Sequence, residues 1–372
     1  MNDLLGDRVK TEGRVKFEVG RAFYNPESQI VRDLGVLAAG VYRRDRSQLR
    51  VLDAMAGCGA RSLRYWVESE ADWVLANEGN PELGEILRSY LAEAIAAGQG
   101  QITHQNAHRL FCQCYSDRDY YDLIDIDSFG SPTPYLSLAL RAAKIDGLLY
   151  LTNTDGRTTT GHLPDNSLKV YGAYARAHPA AREQGLRLII GAAQQQAASI
   201  GLGIQPIFAL FWGQSDRVMV RLLPKPVLSS QNYGFLGYCH RCGEYRVVSW
   251  RKLGRTPCPT DDAPLTLTGP MWLGELHDRA ELSKMSAIAR DWNWRKPLKL
   301  LANMDAEIEF PPYFYTLSEI GRRGKIDIPK RSRLLQALQQ QGYRACAASL
   351  HPSAIKTDAE LATCIAIAQR RS

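Results

Sequence analysis

From about residue 50 onward, short runs of consecutive apolar residues alternate with longer stretches in which apolar positions recur every three or four residues. The first pattern suits strands buried on both faces, and the second suits helices that cover them. Strands are expected near Arg50–Ala54, Trp73–Asn77, Gln101–Gln105, Asp122–Ile126 and Gly147–Thr152, with helices near Ala60–Ser69, Pro81–Ala97, Pro132–Ala143 and Ala180–Ile200. This alternation predicts an α/β domain with a mostly parallel sheet. Two further apolar runs, Gln205–Phe211 and Arg217–Leu222, are separated only by Trp212-Gly213-Gln214-Ser215-Asp216. That gap is too short for a crossover helix, so the sheet is expected to end in an antiparallel hairpin.

The pattern changes at Pro224-Lys225-Pro226 and Ser229-Ser230, which read as a linker between residues 1–226 and a smaller α+β part, 227–372. With 372 residues, 30 Gly, 18 Pro and 23% charged side chains, collagen-like, coiled-coil and wholly disordered classes are excluded. The net charge of +7 is unevenly placed: residues 1–224 carry 24 basic and 25 acidic side chains, residues 225–372 carry 22 and 14. A near-neutral front and a basic back point to a small-molecule site joined to a part that binds a polyanion. The N-terminus lacks a basic segment followed by a long apolar run, and no stretch reaches the ~18–20 apolar residues of a membrane span. A cytoplasmic protein with no membrane association is expected, and no obligate protein partner is evident.

The chemistry starts at Val51-Leu-Asp53-Ala-Met-Ala-Gly57-Cys-Gly59-Ala-Arg61, an acidic strand end followed by glycines opening a helix. Such a turn lets a cofactor lie against bare backbone. The third glycine of a dinucleotide fingerprint is absent, and a carboxylate at Asp53 would repel a diphosphate while suiting the ammonium of a methionine moiety. The cofactor indicated is S-adenosylmethionine, and five parallel units ending in a hairpin fit a Rossmann-like methyltransferase sheet better than a plain dinucleotide fold. Glu78, ending the second strand, is placed to accept ribose hydroxyls. Asn106 could bond the adenine edge while Ala107 leaves room for the ring; turn or helix-capping roles are the alternatives for Asp53, Glu78 and Asn106.

The fourth strand ends Asp125-Ile-Asp127-Ser-Phe129-Gly-Ser-Pro132. An exocyclic amine conjugated to a base ring is a poor nucleophile, so a site that methylates one needs an acceptor for its N–H groups. Asp127 supplies that acceptor and Phe129 would stack on the base; alternatively the two aspartates merely cap the next helix. Asp125 is grouped with the cofactor residues at the same strand end.

Phe23-Tyr-Asn-Pro26 with Arg32-Asp33, the Asp53–Arg64 turn, the 125–132 loop, Thr152-Asn-Thr-Asp155, Gly269-Pro-Met-Trp-Leu-Gly274 and His351–Thr357 together resemble the tRNA (guanine-N2)-dimethyltransferase family. The resemblance spans most of the chain. It implies methylation of the N2 of guanine 26 in tRNA, with a neighbouring guanine a further target, and Asp127 as catalytic carboxylate. It also implies Phe23 with Phe129 as holders of the guanine, and Arg32 and Arg61 as cofactor contacts. The chain departs from the family pattern with Ser128 where proline is usual and Asn106 where aspartate is common.

Cys239-His-Arg-Cys242 and Cys258-Pro-Thr-Asp261 have the spacing of a zinc ribbon, placed here at 237–274. The fourth position holds Asp261, where the family resemblance implies cysteine. A structural zinc on Cys239, Cys242, Cys258 and Asp261 is one reading; Asp262, His240 or an outside group as fourth ligand, or a metal-free ribbon, are others. Cys58, inside the glycine turn, reads as a small turn residue rather than a nucleophile. Arg322, Arg323, Lys325, Lys330, Arg331 and Arg333 form a basic cluster placed to meet tRNA phosphates, with Tyr313, Phe314 and Tyr315 upstream as candidates to stack on a base.

Overall fold

The computed structural model describes residues 9–19 and 22–370. The chain opens with an antiparallel hairpin, β1 (Val9–Glu12) and β2 (Val15–Glu18), followed by helix α1 (Gln29–Arg46). Neither element shows in the periodicity. The strands are four residues long, and α1 is buried continuously from Ile30 to Tyr42, so it presents no polar face to mark a stripe.

The central sheet contains β3 (Arg50–Asp53), β4 (Trp73–Asn77), β5 (Gly100–Thr103), β6 (Tyr121–Ile126), β7 (Ala143–Asn153), β8 (Gly203–Trp212) and β9 (Ser215–Leu223). Their spatial order is β5-β4-β3-β6-β7-β9-β8. The pairs from β5 through β7 are parallel, and β9 runs antiparallel to both β7 and β8, as the short gap between the last two runs requires. Strand order reverses between β3 and β6, so the crevice beyond their carboxyl ends is where this architecture binds ligands. Two expected elements differ. β7 starts at Ala143 rather than Gly147, through an irregular pairing with β6. The single helix expected over Pro81–Ala97 is broken into a 3-10 turn, Pro81–Leu83, and two short helices, Gly84–Tyr90 and Ala92–Ala96.

One face of the sheet is covered by Ala107–Ser116, Thr133–Ala142 and Ala181–Ser199. On the other, α1 lies between the sheet and helices Arg279–Asp291 and Arg295–Ala306, whose Leu282, Met285, Ile288, Leu301 and Met304 share a core with Leu34 and Leu37. Residues beyond 226 therefore complete the packing of the front of the chain. They also form two three-stranded sheets: β10 (Tyr233–Tyr238), β11 (Tyr245–Val248) and β12 (Thr266–Trp272), then β13 (Tyr315–Thr316), β14 (Ala345–Ala347) and β15 (Ala354–Thr357). Lys356 of β15, buried, donates to Glu183 Oε1 at 2.8 Å and ties the last sheet to the 181–199 helix. Among the described residues no helix is long and apolar enough to cross a membrane.

The β1–β2 hairpin is held by charge as well as by packing of Val15 and Phe17 on Ala60 and Leu63. Buried Glu12 accepts from Arg32 and from Arg64 of α2 (Ala60–Val67), and the fully buried Arg64 guanidinium also pairs with Glu68 at 2.6 Å and Asp33 at 2.7 Å. Removing one member of a buried ion cluster leaves uncompensated charge. Arg64→Leu is expected to destabilise the chain by about 3–5 kcal/mol in denaturant unfolding.

Candidate active site

The carboxyl ends of β3, β4 and β6, roofed by the β1–β2 hairpin, enclose a cleft of about 1590 Å³. Its floor is the turn after β3. Ala54 N–H donates to Asp125 O at 3.0 Å and Ala56 N–H to Asn77 O at 2.8 Å, so the turn is stitched to both neighbouring strands. Gly57 (φ +55°) and Gly59 (φ +81°) occupy the left-handed region. A Cβ on Gly57 would project into open space, whereas one on Gly59 would meet Leu87 Cδ2 at 2.7 Å. The backbone at Gly57 is thus bare toward the cleft, which fits a cofactor laid against it. Glu78 spans the edge of this turn, accepting from Gly57 N–H at 2.8 Å and Asn80 N–H at 2.9 Å. Asn106 lines the cleft beside Ala107, and its side-chain oxygen caps the 107–116 helix through His108 and Arg109 N–H.

Asp53 and Asp125 lie beneath the cleft, fully buried. Asp53 Oδ2 accepts from Ser62 at 2.7 Å, while Oδ1 is an unmet acceptor; burial, and then the nearby Asp125 carboxylate, raise its pKa. Asp125 accepts two bonds from Arg61 Nη1, at 2.6 and 2.8 Å, and a third from Tyr65 OH at 2.7 Å. Arg61 Nη2 reaches Asp127 Oδ2 at 2.8 Å, so one buried guanidinium bridges the two strand-end carboxylates. Arg32 borders the cleft with its guanidinium committed to Glu12, Asn25 O and the face of Tyr24.

Asp127 is a third exposed, and its other oxygen is held by Arg217 Nη1 at 2.8 Å. Burial by itself would raise its pKa; the Arg61 and Arg217 guanidinia outweigh that and bring it down to about 2, so the group is a carboxylate at any physiological pH. Arg217 also bonds Thr152 and, through Nε, Ser215 Oγ at 3.2 Å. Local sequence pattern does not single it out; its signal is a charged residue in the apolar run of β9, and the register Thr152↔Arg217 sets it beside the carboxyl end of β7. The adjoining Asn153 donates to Asp216 at 2.8 Å, and Asp155 caps the Gly156–Thr159 turn. The 128–130 loop is pinned by Gly130 N–H to Thr154 Oγ1 at 2.7 Å and Thr154 N–H to Gly130 O at 2.8 Å. It projects Phe129 outward, 84% exposed, with Phe23 (76% exposed) edge-on to it at 6.1 Å between ring centres. Cys58 is buried in the turn with its thiol pKa raised by burial.

Cys239, Cys242, Cys258 and Asp261 bring one ligand atom each within 4.8 Å of one another. Cys242 and Cys258 sulfurs are 3.3 Å apart, and Cys239 Sγ is 3.5 Å from Asp261 Oδ1. Three thiols and a carboxylate from two facing turns are a donor set that zinc accepts, and the cluster can hold one ion. The basic segment is less uniform. Arg322, Lys325, Lys330 and Arg333 are exposed. Arg331 bonds Pro352 O. Arg323 is a strut rather than a free cation: it bonds Glu319, Arg241 O at 2.7 Å and His240 O at 3.2 Å. Of the upstream aromatics, Phe314 and Tyr315 are buried in the core and Tyr313 stacks on Tyr245 at 4.7 Å, which removes the first two as platforms for a base.

This sheet order with its terminal antiparallel hairpin, glycine turn and acidic strand ends defines a Rossmann-like, S-adenosylmethionine-dependent methyltransferase. The family profile described as "TRM: N2,N2-dimethylguanosine tRNA methyltransferase" matches residues 7–369, and the chain belongs to that family. It is 31% identical to the tRNA (guanine(26)-N(2))-dimethyltransferase of Pyrococcus horikoshii, over 94% of each chain, and 30% identical to that of Thermococcus kodakarensis, over 91% and 90%. Among solved structures it is similar to the complex of Trm1 from Pyrococcus horikoshii with S-adenosyl-L-methionine. That match has a TM-score of 0.83 and 29% identity, and covers 96% of this chain and 99% of that one.

The cysteine cluster makes a direct prediction. Elemental analysis of the purified full chain should give about one zinc per chain, retained in Asp261→Cys and lost in Cys258→Ser. Wild-type protein without zinc would show the four residues to be a metal-free, hydrogen-bonded knot.

Proposed function

We propose that this chain transfers methyl groups from S-adenosylmethionine to the exocyclic N2 of guanine 26 in tRNA, giving N2-methyl- and then N2,N2-dimethylguanosine. The observation that carries this reading is Asp127: an ionised carboxylate at the cleft, gripped on both oxygens by Arg61 and Arg217, below two exposed aromatic rings. The bound cofactor supplies an electrophilic methyl group on sulfur. The Gly57–Gly59 turn, Arg61, Glu78, Asn106, Ala107 and Arg32 would hold it from the cleft, with Asp53 and Asp125 beneath.

The chain's own residues account for the rest. Phe23 and Phe129 stack on a guanine swung out of its helix, fixing the amine in the cleft. Asp127 accepts an N–H bond from that amine, which turns the nitrogen lone pair out of conjugation and toward the methyl group. A carboxylate with a pKa near 2 is a weak base, so its task is orientation before transfer; the proton leaves easily once the nitrogen carries positive charge. Residues 1–226 carry this chemistry, and residues 227–372 hold the tRNA, in a cytoplasmic enzyme with no obligate protein partner. Support for that division comes from the excess of basic side chains after residue 224 and the exposure of Arg322, Lys325, Lys330 and Arg333.

Incubation of unmodified tRNA with the protein and S-adenosylmethionine, followed by nucleoside mass spectrometry and fragment mapping, should give dimethylguanosine at position 26. Modification of rRNA or duplex DNA instead would replace the substrate. Asp127→Ala should lower turnover by about 100-fold or more while changing cofactor affinity by less than about threefold. In the wild type, Asp127 imposes no acid limb on kcat between about pH 5 and pH 8. Arg217→Gln removes one of its two cations, so the limb should move up toward that window; a profile that stays flat would show that Arg217 does not set the charge of Asp127.

A further inference from the structure

The cysteine ribbon carries a concentration of charge that the methyl-transfer site does not use. Between Cys239 and Pro264 the exposed side chains include Arg241, Arg246, Arg251, Lys252 and Arg255. The acidic residues in that span are Glu244, Asp261 and Asp262. Glu244 is buried, bonded to Tyr315 OH and Leu361 N–H, and Asp261 belongs to the cysteine cluster. Among the described residues Arg246, Arg251, Lys252 and Arg255 have no carboxylate partner. Some exposed arginines elsewhere do, such as Arg44 with Asp291, Arg46 with Asp146, Arg322 with Glu319 and Arg344 with Asp358, while others, such as Arg109 and Arg157, stand without one; what marks the ribbon is that four such cations fall within ten residues. Unpaired like charges on one small module repel one another, and a polyanion relieves that repulsion.

Two further observations give the charge a direction. Trp250 lies among these cations, 41% exposed, and is held rigidly: its Nε1 donates to Tyr233 O at 2.6 Å and its ring packs edge-on against Phe235 at 4.8 Å. An immobilised, partly open aromatic face between basic side chains suits a nucleobase or ribose. The Arg323 strut, bonded to the carbonyls of His240 and Arg241, sets the Arg322–Lys325 turn directly against the first cysteine turn. Two basic segments about 80 residues apart in sequence thereby become neighbours on one surface.

We propose that the ribbon is a tRNA-docking surface, in which Arg241, Arg246, Arg251, Lys252 and Arg255 engage backbone phosphates and Trp250 packs on an exposed nucleotide. The proposal rests on the tRNA reading above. The ribbon's cysteine cluster then serves to present this surface rather than to take part in the chemistry.

The test uses the full chain carrying Arg246→Ala, Arg251→Ala, Lys252→Ala and Arg255→Ala together, none of which removes a side-chain bond seen in the structure. Unmodified tRNA is titrated from low to high salt, with S-adenosylmethionine affinity measured alongside. Affinity for tRNA should fall at least about tenfold at moderate salt, and the slope of log K against log salt should drop by about three to four, one unit for each lost phosphate contact. Cofactor affinity should stay within about twofold. Trp250→Leu, which keeps an apolar side chain and loses the ring, should weaken binding roughly fivefold at an unchanged slope. If the quadruple variant binds with wild-type affinity and slope, the ribbon proposal is overturned while the methyltransferase reading stands. If the wild-type chain itself fails to bind tRNA, both fall.

Discussion

A single buried guanidinium organises the reactive end of this molecule. Arg61 sits at the second position of α2, immediately after the glycine turn, and its fork joins Asp125 at the end of β6 to Asp127 in the following loop. It places one cation between two carboxylates that belong to different segments. Taking the Arg61–Asp125 pair out of water is costly, and a buried pair of this kind is weak evidence for stability. What it supplies is geometry: the start of a helix, the end of a strand and the Asp127 loop are locked to one planar group, and the open edge of Asp127 is what remains to face the cleft.

Much of that end was legible in the chain because it rests on short-range rules. Glycines at a tight turn, acidic residues at strand ends and an aromatic in the next loop lie within a few residues of a strand that the apolar pattern already locates. The structure gathers Gly57, Glu78, Asn106, Ala107 and Asp127 on one cleft, with Asp53 and Asp125 beneath it rather than on its surface. What escaped was long-range. Arg217 meets Asp127 across 90 positions, through pairing of β7 with β9, and the β1–β2 hairpin is fastened by Glu12 to an arginine on α2. Charge also misleads when its partners are unseen: Arg323 counts as a free cation in sequence and is a strut in space, and Tyr315 counts as an exposed ring and is core.

The back half of the chain resists a simple division between chemistry and docking. Its helices at 279–306 complete the core around α1, and Lys356 reaches Glu183 in the interior. A contiguous core running through both parts fixes their relative orientation, so the exposed basic surface of the back half keeps a constant angle and distance to the cleft. Were tRNA to dock there as proposed, that rigidity would act as a ruler.

The placement of Arg217 has a consequence for how the protein comes to be. β9 is the last strand to enter the sheet along the chain, and it inserts between β7 and the edge strand β8. A nascent or clipped polypeptide that has built the earlier strands already possesses the glycine turn and the aspartate loop, yet lacks the second cation on Asp127. The finished sheet and the second cation on Asp127 therefore arrive together.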